Sequence, residues 1–190
     1  VWPDGAEMVS RHGAYVEICD LGFMRDRGVE RLDRAFNRAA AVTAAMAAVV
    51  ASSDPLGMLW HPAKNGMRLD AFADQVAQAV MGQAPLDLWM RWFFVKPEVP
   101  QHRPGVITRG LFPFIGHEIE VRPSPAPSED ALRLAREFAS MVIDRGARAR
   151  TGMIVSLSRD LSATVRVGES RTREGLPVFE LSVNRPVEDA

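Results

Sequence analysis

The sequence contains very little cysteine, with Cys19 as the single example in 190 residues. One thiol cannot form an internal disulfide, so nothing in the sequence indicates an oxidising compartment. A chain of this length buries roughly 70% of the surface that its unfolded form exposes, so it can build a core without disulfides or a structural metal. Because no basic residue is adjacent to Cys19, we interpret it as a buried hydrophobic residue in a strand rather than a nucleophile.

Long apolar runs are also missing. The longest candidate, residues 39–51, is alanine-rich, is interrupted by Thr43 and is shorter than the roughly 20 residues that cross a bilayer. The N-terminus begins Val-Trp-Pro-Asp-Gly and lacks the basic and then apolar pattern of a signal peptide. We therefore expect a trimmed N-terminus, a cytoplasmic protein and no membrane partner.

The chain has no large excess of either charge, since its net charge is −1. A neutral chain has no global field that attracts nucleic acid, so we expect no nucleic-acid partner. Of the 23 basic residues only Lys64 and Lys96 are lysines. This arginine bias, together with the many alanines, is typical of a bacterium with GC-rich coding and carries no functional meaning.

One local charge asymmetry lies between Arg133 and Arg173, where nine arginines stand against four acidic residues. No aromatic residue is interspersed with the arginines from Ala139 to Glu174. The stacking groups of proteins that bind single-stranded nucleic acid are therefore missing from this stretch. A solvated face or a protein-docking surface is the favoured interpretation.

Hydrophobic periodicity predicts both helices and strands. Alternation of apolar residues predicts strands at residues 14–19, 56–60, 86–95, 106–109, 117–122, 153–157, 163–167 and 178–183. Apolar residues that recur every three or four positions predict helices at 29–50, 69–80 and 132–142. Gly82 and Gly146 are expected to end the second and third helices, and Ser128 is expected to cap the start of the third.

The order of these segments interleaves helices with strands and is rich in strands in its last third. It predicts one α+β domain over residues 1–190, with a mixed, largely antiparallel sheet packed against about three helices in two layers. Residues 86–95 form the most hydrophobic predicted strand, which we expect at the centre of the sheet with both faces covered. Residues 14–19 are expected to form a short buried strand.

Polar and special residues are densest between residues 107 and 121. A strand here places His117 on one face and both Glu118 and Glu120 on the other. No nearby His-x-x-x-His or Cys-x-x-Cys spacing supplies further ligands, so we expect no metal and no cofactor.

Each polar residue has a structural and a functional interpretation. His117 is expected to be half-buried and bonded to a backbone carbonyl or a glutamate, while Glu118 and Glu120 are either solvated edge charges or an acid/base pair. Arg109 either clamps a carboxylate or phosphate or pairs with a neighbouring acid. Trp60 is expected in the core and His61 in a turn at a strand end.

Two functional hypotheses follow. The leading one is a non-catalytic module that binds or regulates another protein, through the surface of residues 145–173. Its support is mostly negative, since the sequence has neither a Gly-x-Ser-x-Gly elbow nor a phosphate-binding loop. The alternative is an enzyme or a small-molecule-binding protein with one polar cleft formed by His61, Thr108, Arg109, His117, Glu118 and Glu120.

Three stretches taken together resemble a largely bacterial family known as a domain of unknown function. They are residues 49–63, then Pro85-Leu-Asp-Leu-Trp-Met-Arg-Trp92, then Thr108-Arg-Gly-Leu111 with Gly116-His-Glu-Ile-Glu-Val121. In that family a helix of small residues leads to a glycine and tryptophan strand, a proline-leucine-tryptophan strand, and a threonine-glycine-leucine segment before an acidic strand. The resemblance covers residues 11–183, departs at residues 148–152 from the expected acidic, glycine-rich turn, and implies no catalytic residues.

Overall fold

A computed structural model describes residues 10–11, 13–19, 32–158 and 161–184. The helices within these ranges are α1 (Leu32–Ser52), α2 (Leu69–Val80), α3 (Leu86–Trp89), α4 (Phe112–Ile115) and α5 (Ser128–Ile143). The strands are β1 (Met58–Trp60), β2 (Asn65–Met67), β3 (Arg91–Val95), β4 (Gly105–Arg109), β5 (Glu118–Val121), β6 (Ile154–Ser156), β7 (Ser162–Glu169) and β8 (Pro177–Asn184). The expected helix start at Val29 lies outside the described residues, as does Arg159 of the arginine-rich stretch.

Six strands form one open sheet in the order β3-β4-β5-β8-β7-β6. All neighbours pair antiparallel except β5 and β8, which are parallel. Strands β1 and β2 form a separate antiparallel hairpin. The mixed, largely antiparallel sheet and its packed helices confirm the expected two-layer α+β class.

Helix α5 covers one face of the sheet. Its buried residues recur at helical spacing, and Phe138 meets Phe179 of β8 edge to face at 5.5 Å between ring centroids. Full burial of a side chain of this size stabilises a fold by roughly 1.5–3 kcal/mol. Gly146 follows the helix with a φ of +62°, as expected, but Ser128 is the first residue of the helix and Pro127 precedes it without a side-chain cap.

Helix α1 packs closely because its inner face consists of small residues. Ala35, Ala39 and Thr43 are buried there, and the Thr43 hydroxyl accepts a hydrogen bond from the Trp89 indole N–H at 3.0 Å. The Trp89 ring also contacts the rings of Phe36, Trp60 and Phe114 at centroid distances of 5.3, 6.3 and 5.2 Å. Trp89 thus joins α1, α3, α4 and β1.

The prediction of one central strand at residues 86–95 is wrong in two respects. Residues 86–89 form α3, and the strand that follows, β3, lies at the edge of the sheet. The Asn65 side-chain amide donates to the backbone carbonyls of Asp87, Leu88 and Met90. Asn65, more than twenty positions away in the chain, therefore supplies the donor for these carbonyls. The alternation of apolar residues within the segment cannot predict such a contact.

Two further predictions need correction. Residues 14–19 are described without strand pairing, and Tyr15 and Val16 are 80% and 73% exposed. Cys19 is exposed rather than buried. Alternation of apolar residues predicts which side chains share a face of a strand. It does not predict whether a neighbouring strand is present to pair with residues 14–19 and bury them. Asn65 and Gly66, expected in the turn that begins at His61, lie instead in β2 and pair with β1.

Candidate functional site

Glu118 is a buried carboxylate that holds the loop after β4, with 4% of its surface exposed. Its oxygens accept hydrogen bonds from the Thr108 hydroxyl at 2.7 Å and from the N–H groups of Gly110, Leu111 and Phe112 at 2.9–3.1 Å. The Thr108 hydroxyl in turn accepts from the Ile119 N–H at 2.8 Å. Four donors already surround the Glu118 carboxylate. Glu118 is therefore not a solvated edge charge, and its oxygens are not available for acid/base chemistry.

Glu120 belongs to a row of cross-strand neighbours on the sheet face opposite α5. The register pairs Phe93 with Ile107, Ile107 with Glu120, Glu120 with Glu180, and Glu180 with Arg166. Directly opposite residues project from the same face of a sheet. We call these five residues the outer row.

The turn between β7 and β8 covers the outer row. The Ser170 hydroxyl donates to Glu120 at 2.5 Å, the Arg171 Nε donates to Glu180 at 3.1 Å, and the Arg173 guanidinium lies 5.3 Å from the centre of the Phe93 ring. Glu120 and Glu180 are consequently only 2% and 1% exposed. Glu120 is therefore not the solvated edge charge that the alternation favoured.

Glu180 forms ion pairs with three arginines. Arg166 donates two hydrogen bonds to its carboxylate at 3.0 and 2.8 Å, Arg171 donates one, and Arg122 makes an ion pair at 2.9 Å. The bonds from Arg166 hold the pKa of Glu180 below its ordinary value, and its burial opposes this only in part. Two members of the arginine excess, Arg166 and Arg171, thus neutralise a buried acid of their own chain together with Arg122.

The other predicted site residues lie apart from this network. His117 is half-buried, with Nδ1 3.2 Å from the Ile115 carbonyl and its ring stacked on Phe179 at 4.4 Å, which confirms its structural interpretation. His61 is exposed in the turn between β1 and β2, 3.0 Å from the Lys64 amine. Arg109 ends β4. Among the six residues of the expected cleft, the hydrogen bonds join only Thr108 with Glu118.

A small polar cleft lies between α2, α3 and α5, with a volume of about 440 Å³. Arg136 binds both oxygens of Asp87 and lies over the Trp92 ring at 5.2 Å, and the Trp92 indole N–H also donates to Asp87. Asp144 accepts from the Ala84 N–H and the Ser140 hydroxyl at 2.8 and 2.7 Å. Arg145, the remaining charged residue of the cleft, pairs with Glu137 at 3.2 Å, so each charged group there already has a partner within the chain.

A much larger groove of about 1560 Å³ runs beside α1. We call it the α1 groove. Its floor is the half-buried stripe Val42, Met46 and Val49 of α1, and its other walls include Leu59 and Trp60 of β1. Segment 13–19 and residues around Trp92 complete the lining. His61 is the one residue of the expected cleft that lines it.

The three buried or half-buried indole groups beside the helices differ in their partners. The N–H groups of Trp89 and Trp92 donate to Thr43 and Asp87. The Trp60 Nε1 is buried and has no acceptor among the described residues. An unsatisfied buried donor costs about 1–3 kcal/mol. The wall of the α1 groove therefore contains one buried N–H group without a hydrogen-bond acceptor among the described residues.

Helix α1 is the one helix in the described ranges that is long and apolar enough, by length and composition, to cross a membrane. Only 17% of its apolar window is buried. The core helix of a protein without any membrane span passes the same test, so this finding does not place α1 in a bilayer. Residues 10–11, 13–19, 32–158 and 161–184 contain no group of three or more His, Cys, Asp or Glu side chains arranged to hold a metal ion.

Comparisons of the chain with protein-family models, with curated proteins and with solved structures find no match. The resemblance to a family of domains of unknown function therefore stays a prediction.

Proposed function

We propose that this protein is a non-catalytic module that docks an amphipathic helix of another protein in the α1 groove. The observation that carries the proposal is the groove itself, about 1560 Å³ in volume and lined by the apolar stripe of α1. Pockets for small molecules usually measure about 300–1000 Å³. The α1 groove is larger than this, and an open apolar groove of such size suits a segment of a protein.

The spacing of the floor residues supports a helix as the occupant. Val42, Met46 and Val49 lie four and three residues apart, so they form a ridge about 10 Å long on one face of α1. A second helix packs its own apolar ridge beside such a ridge and anchors itself through residues at the same spacing.

Charged residues border the apolar stripe of the groove. Arg38 lines the groove in the first half of α1, and Asp54 lines it just after the end of α1. An apolar centre with a polar rim is the usual composition of a protein interface. The proposal thus places docking at α1, whereas the sequence favoured the arginine-rich surface of residues 145–173.

The competing hypothesis of a polar catalytic cleft has less support. It needs Glu118 and Glu120 to be available to a substrate, but Glu118 holds four internal hydrogen bonds and Glu120 lies beneath Ser170. A general acid or base must reach the proton that it transfers. Both carboxylates serve the fold instead.

The test uses two exposed apolar residues as a matched pair. Leu59 lines the α1 groove and is 57% exposed, while Val80 of α2 does not line it and is 82% exposed. A photo-crosslinking amino acid at position 59, in an extract of the source organism, should attach to a segment of a partner protein, and one at position 80 should not. That segment, made as a peptide, should gain helical circular dichroism when it binds.

Substitution then separates groove docking from other contacts. Leu59→Glu should weaken the binding of the peptide at least about tenfold, which corresponds to the loss of one apolar anchor, and Val80→Glu should leave it unchanged. The proposal is wrong if position 59 attaches only to a second copy of the chain, to lipid or to a small molecule. It is also wrong if Leu59→Glu and Val80→Glu bind the peptide equally well.

A further inference from the structure

Three arginines lie around the first half of β3. Arg91 and Arg109 are direct cross-strand partners. The guanidinium groups of Arg91 and Arg173 lie 4.9 and 5.3 Å from the centre of the Phe93 ring. Like charges in directly opposite positions of a sheet destabilise it. The fold therefore concentrates positive charge at one place, at a cost to its own stability.

The charge of this cluster is not matched by acids in the part of the chain that the structure describes. No ion pair there involves Arg91, Arg109 or Arg173, although seven others are present. Arg91 donates to the Lys64 carbonyl at 3.0 Å, a neutral group. Of the two acids in the outer row, Glu180 is already bound by Arg122, Arg166 and Arg171, and Glu120 accepts from the Ser170 hydroxyl.

From these observations we infer that Arg91, Arg109 and Arg173 form a binding site for the phosphate groups of a small phosphorylated molecule. Guanidinium groups present planar forks of N–H donors that match phosphate oxygens, and charge-assisted bonds of this kind are about twice as strong as neutral ones. Contact with the Phe93 ring holds two of the guanidinium groups in place before a ligand arrives, so less conformational freedom is lost on binding.

A small molecule fits this site better than a nucleic-acid strand. Proteins that bind single strands stack successive bases on several aromatic rings. The described contacts bring only Phe93 to these three arginines, and two guanidinium groups already lie against its ring. The cluster therefore offers charge for one or two phosphates but no platform for a row of bases.

Titration calorimetry with inorganic pyrophosphate tests the inference. The wild-type chain should bind one pyrophosphate per chain, with an affinity that falls as salt is added. Arg109→Gln and Arg173→Gln should each weaken binding at least about tenfold, the effect of losing one charge-assisted hydrogen bond. Arg133→Gln is the matched control, because Arg133 is an exposed arginine of α5 with a 3.4 Å pair to Asp130, and it should bind like the wild type.

Three results would overturn the inference. They are a wild-type chain that does not bind pyrophosphate, equal weakening by Arg133→Gln and Arg109→Gln, and an oligothymidine strand that binds more tightly than pyrophosphate. The third result would assign the cluster to nucleic acid. Arg173 lies in a turn, so Arg173→Gln keeps the test valid if Arg109→Gln disturbs the sheet. Arg91 also lines the α1 groove, but Arg109 and Arg173 do not, so these two variants test the phosphate site separately from the proposed docking.

Discussion

Three glutamates are buried in the sheet, and donors from distant parts of the chain hold two of them. Glu118 binds the loop that follows β4, Glu120 binds Ser170, and Glu180 binds three arginines. A buried carboxylate without such donors would be strongly unfavourable. These side chains therefore fix the turn between β7 and β8, and the loop after β4, to the sheet.

Glu180 should make the stability of the protein depend on pH. Its pKa in the folded state lies below the ordinary 4.5, chiefly through the hydrogen bonds from Arg166. A lowered folded pKa contributes stability above the ordinary value, and this contribution is lost as the pH falls from about 4.5 through the folded pKa. We expect Glu180→Gln to lower the free energy of unfolding by about 2 kcal/mol at pH 7 and by much less below that range.

Urea denaturation of the wild type and of Glu180→Gln across this pH range would check the prediction. Glu137→Gln serves as control, since Glu137 pairs with Arg145 at 3.2 Å on the exposed side of α5, and exposed pairs contribute at most about 1 kcal/mol. Parallel pH curves for wild type and Glu180→Gln would contradict the assignment of the lowered pKa to a stabilising interaction.

At the scale of elements, the turn after β4 depends on a glycine. Gly110 has a φ of +112°, and a Cβ atom there would lie 2.3 Å from the Trp89 carbonyl oxygen and 2.9 Å from the Ala63 Cβ. Gly82 after α2 also has a positive φ, +73°, but a Cβ there would meet nothing within 4 Å. The two glycines share the backbone requirement and differ in the space around them.

Substitution by alanine should separate these two effects. Gly82→Ala should cost about 1–2 kcal/mol, the strain of a left-handed conformation. Gly110→Ala should cost at least about 2 kcal/mol more, because the new methyl group forces the backbone of α3 away from β4. Chemical denaturation of both variants measures the difference in the free energy of unfolding. Equal decreases for the two variants would show that the Trp89 carbonyl can move away from the new methyl group at little cost.

The segment from Leu86 to Val95 shows why element boundaries needed the tertiary structure. Eight of its ten residues are apolar, and β3 occupies only the last five. The first four residues instead form α3, whose carbonyls meet the Asn65 amide. A short apolar run is compatible with a buried helical turn or a strand, and only the surrounding contacts select between them.

For the whole molecule, the parallel pairing of β5 with β8 links the middle of the chain to its last strands. Four residue pairs connect these strands, from Glu118 with Val178 to Val121 with Leu181. The same pairing brings Glu120 beside Glu180. The core below the sheet combines residues of α5 with residues of β4, β5, β7 and β8. The last third of the chain is therefore part of the same packed unit as β5.

A chain that ends at Gly146 should consequently fail to fold cooperatively. It lacks β6, β7 and β8, so β5 loses a neighbour and the apolar face of α5 loses part of its cover. We expect no cooperative urea transition and no near-ultraviolet circular dichroism. The full chain is the control and should show both. A cooperative transition in the shorter chain would contradict this view of the core.

Features that depend on local periodicity could be predicted from the sequence. The spacing of apolar residues predicted α2 and α5 and the strands β4 to β8, and their order predicted the α+β class. It also predicted a half-buried His117 bound to a carbonyl and a buried Trp60. These features follow from the repeats of helix and strand, which any segment carries in its own residues.

The segments that cover each face of the sheet, and the charged residues that pair with one another, could be identified only from the folded chain. Alternation placed Glu118 and Glu120 on one face, but the donors that bury them come from Gly110 and Ser170. The sequence showed an arginine-rich stretch without aromatic residues, whereas the fold brings Phe93 from β3 to Arg173. Burial and electrostatic pairing depend on segments far apart in the chain, so the local pattern of one segment cannot contain them.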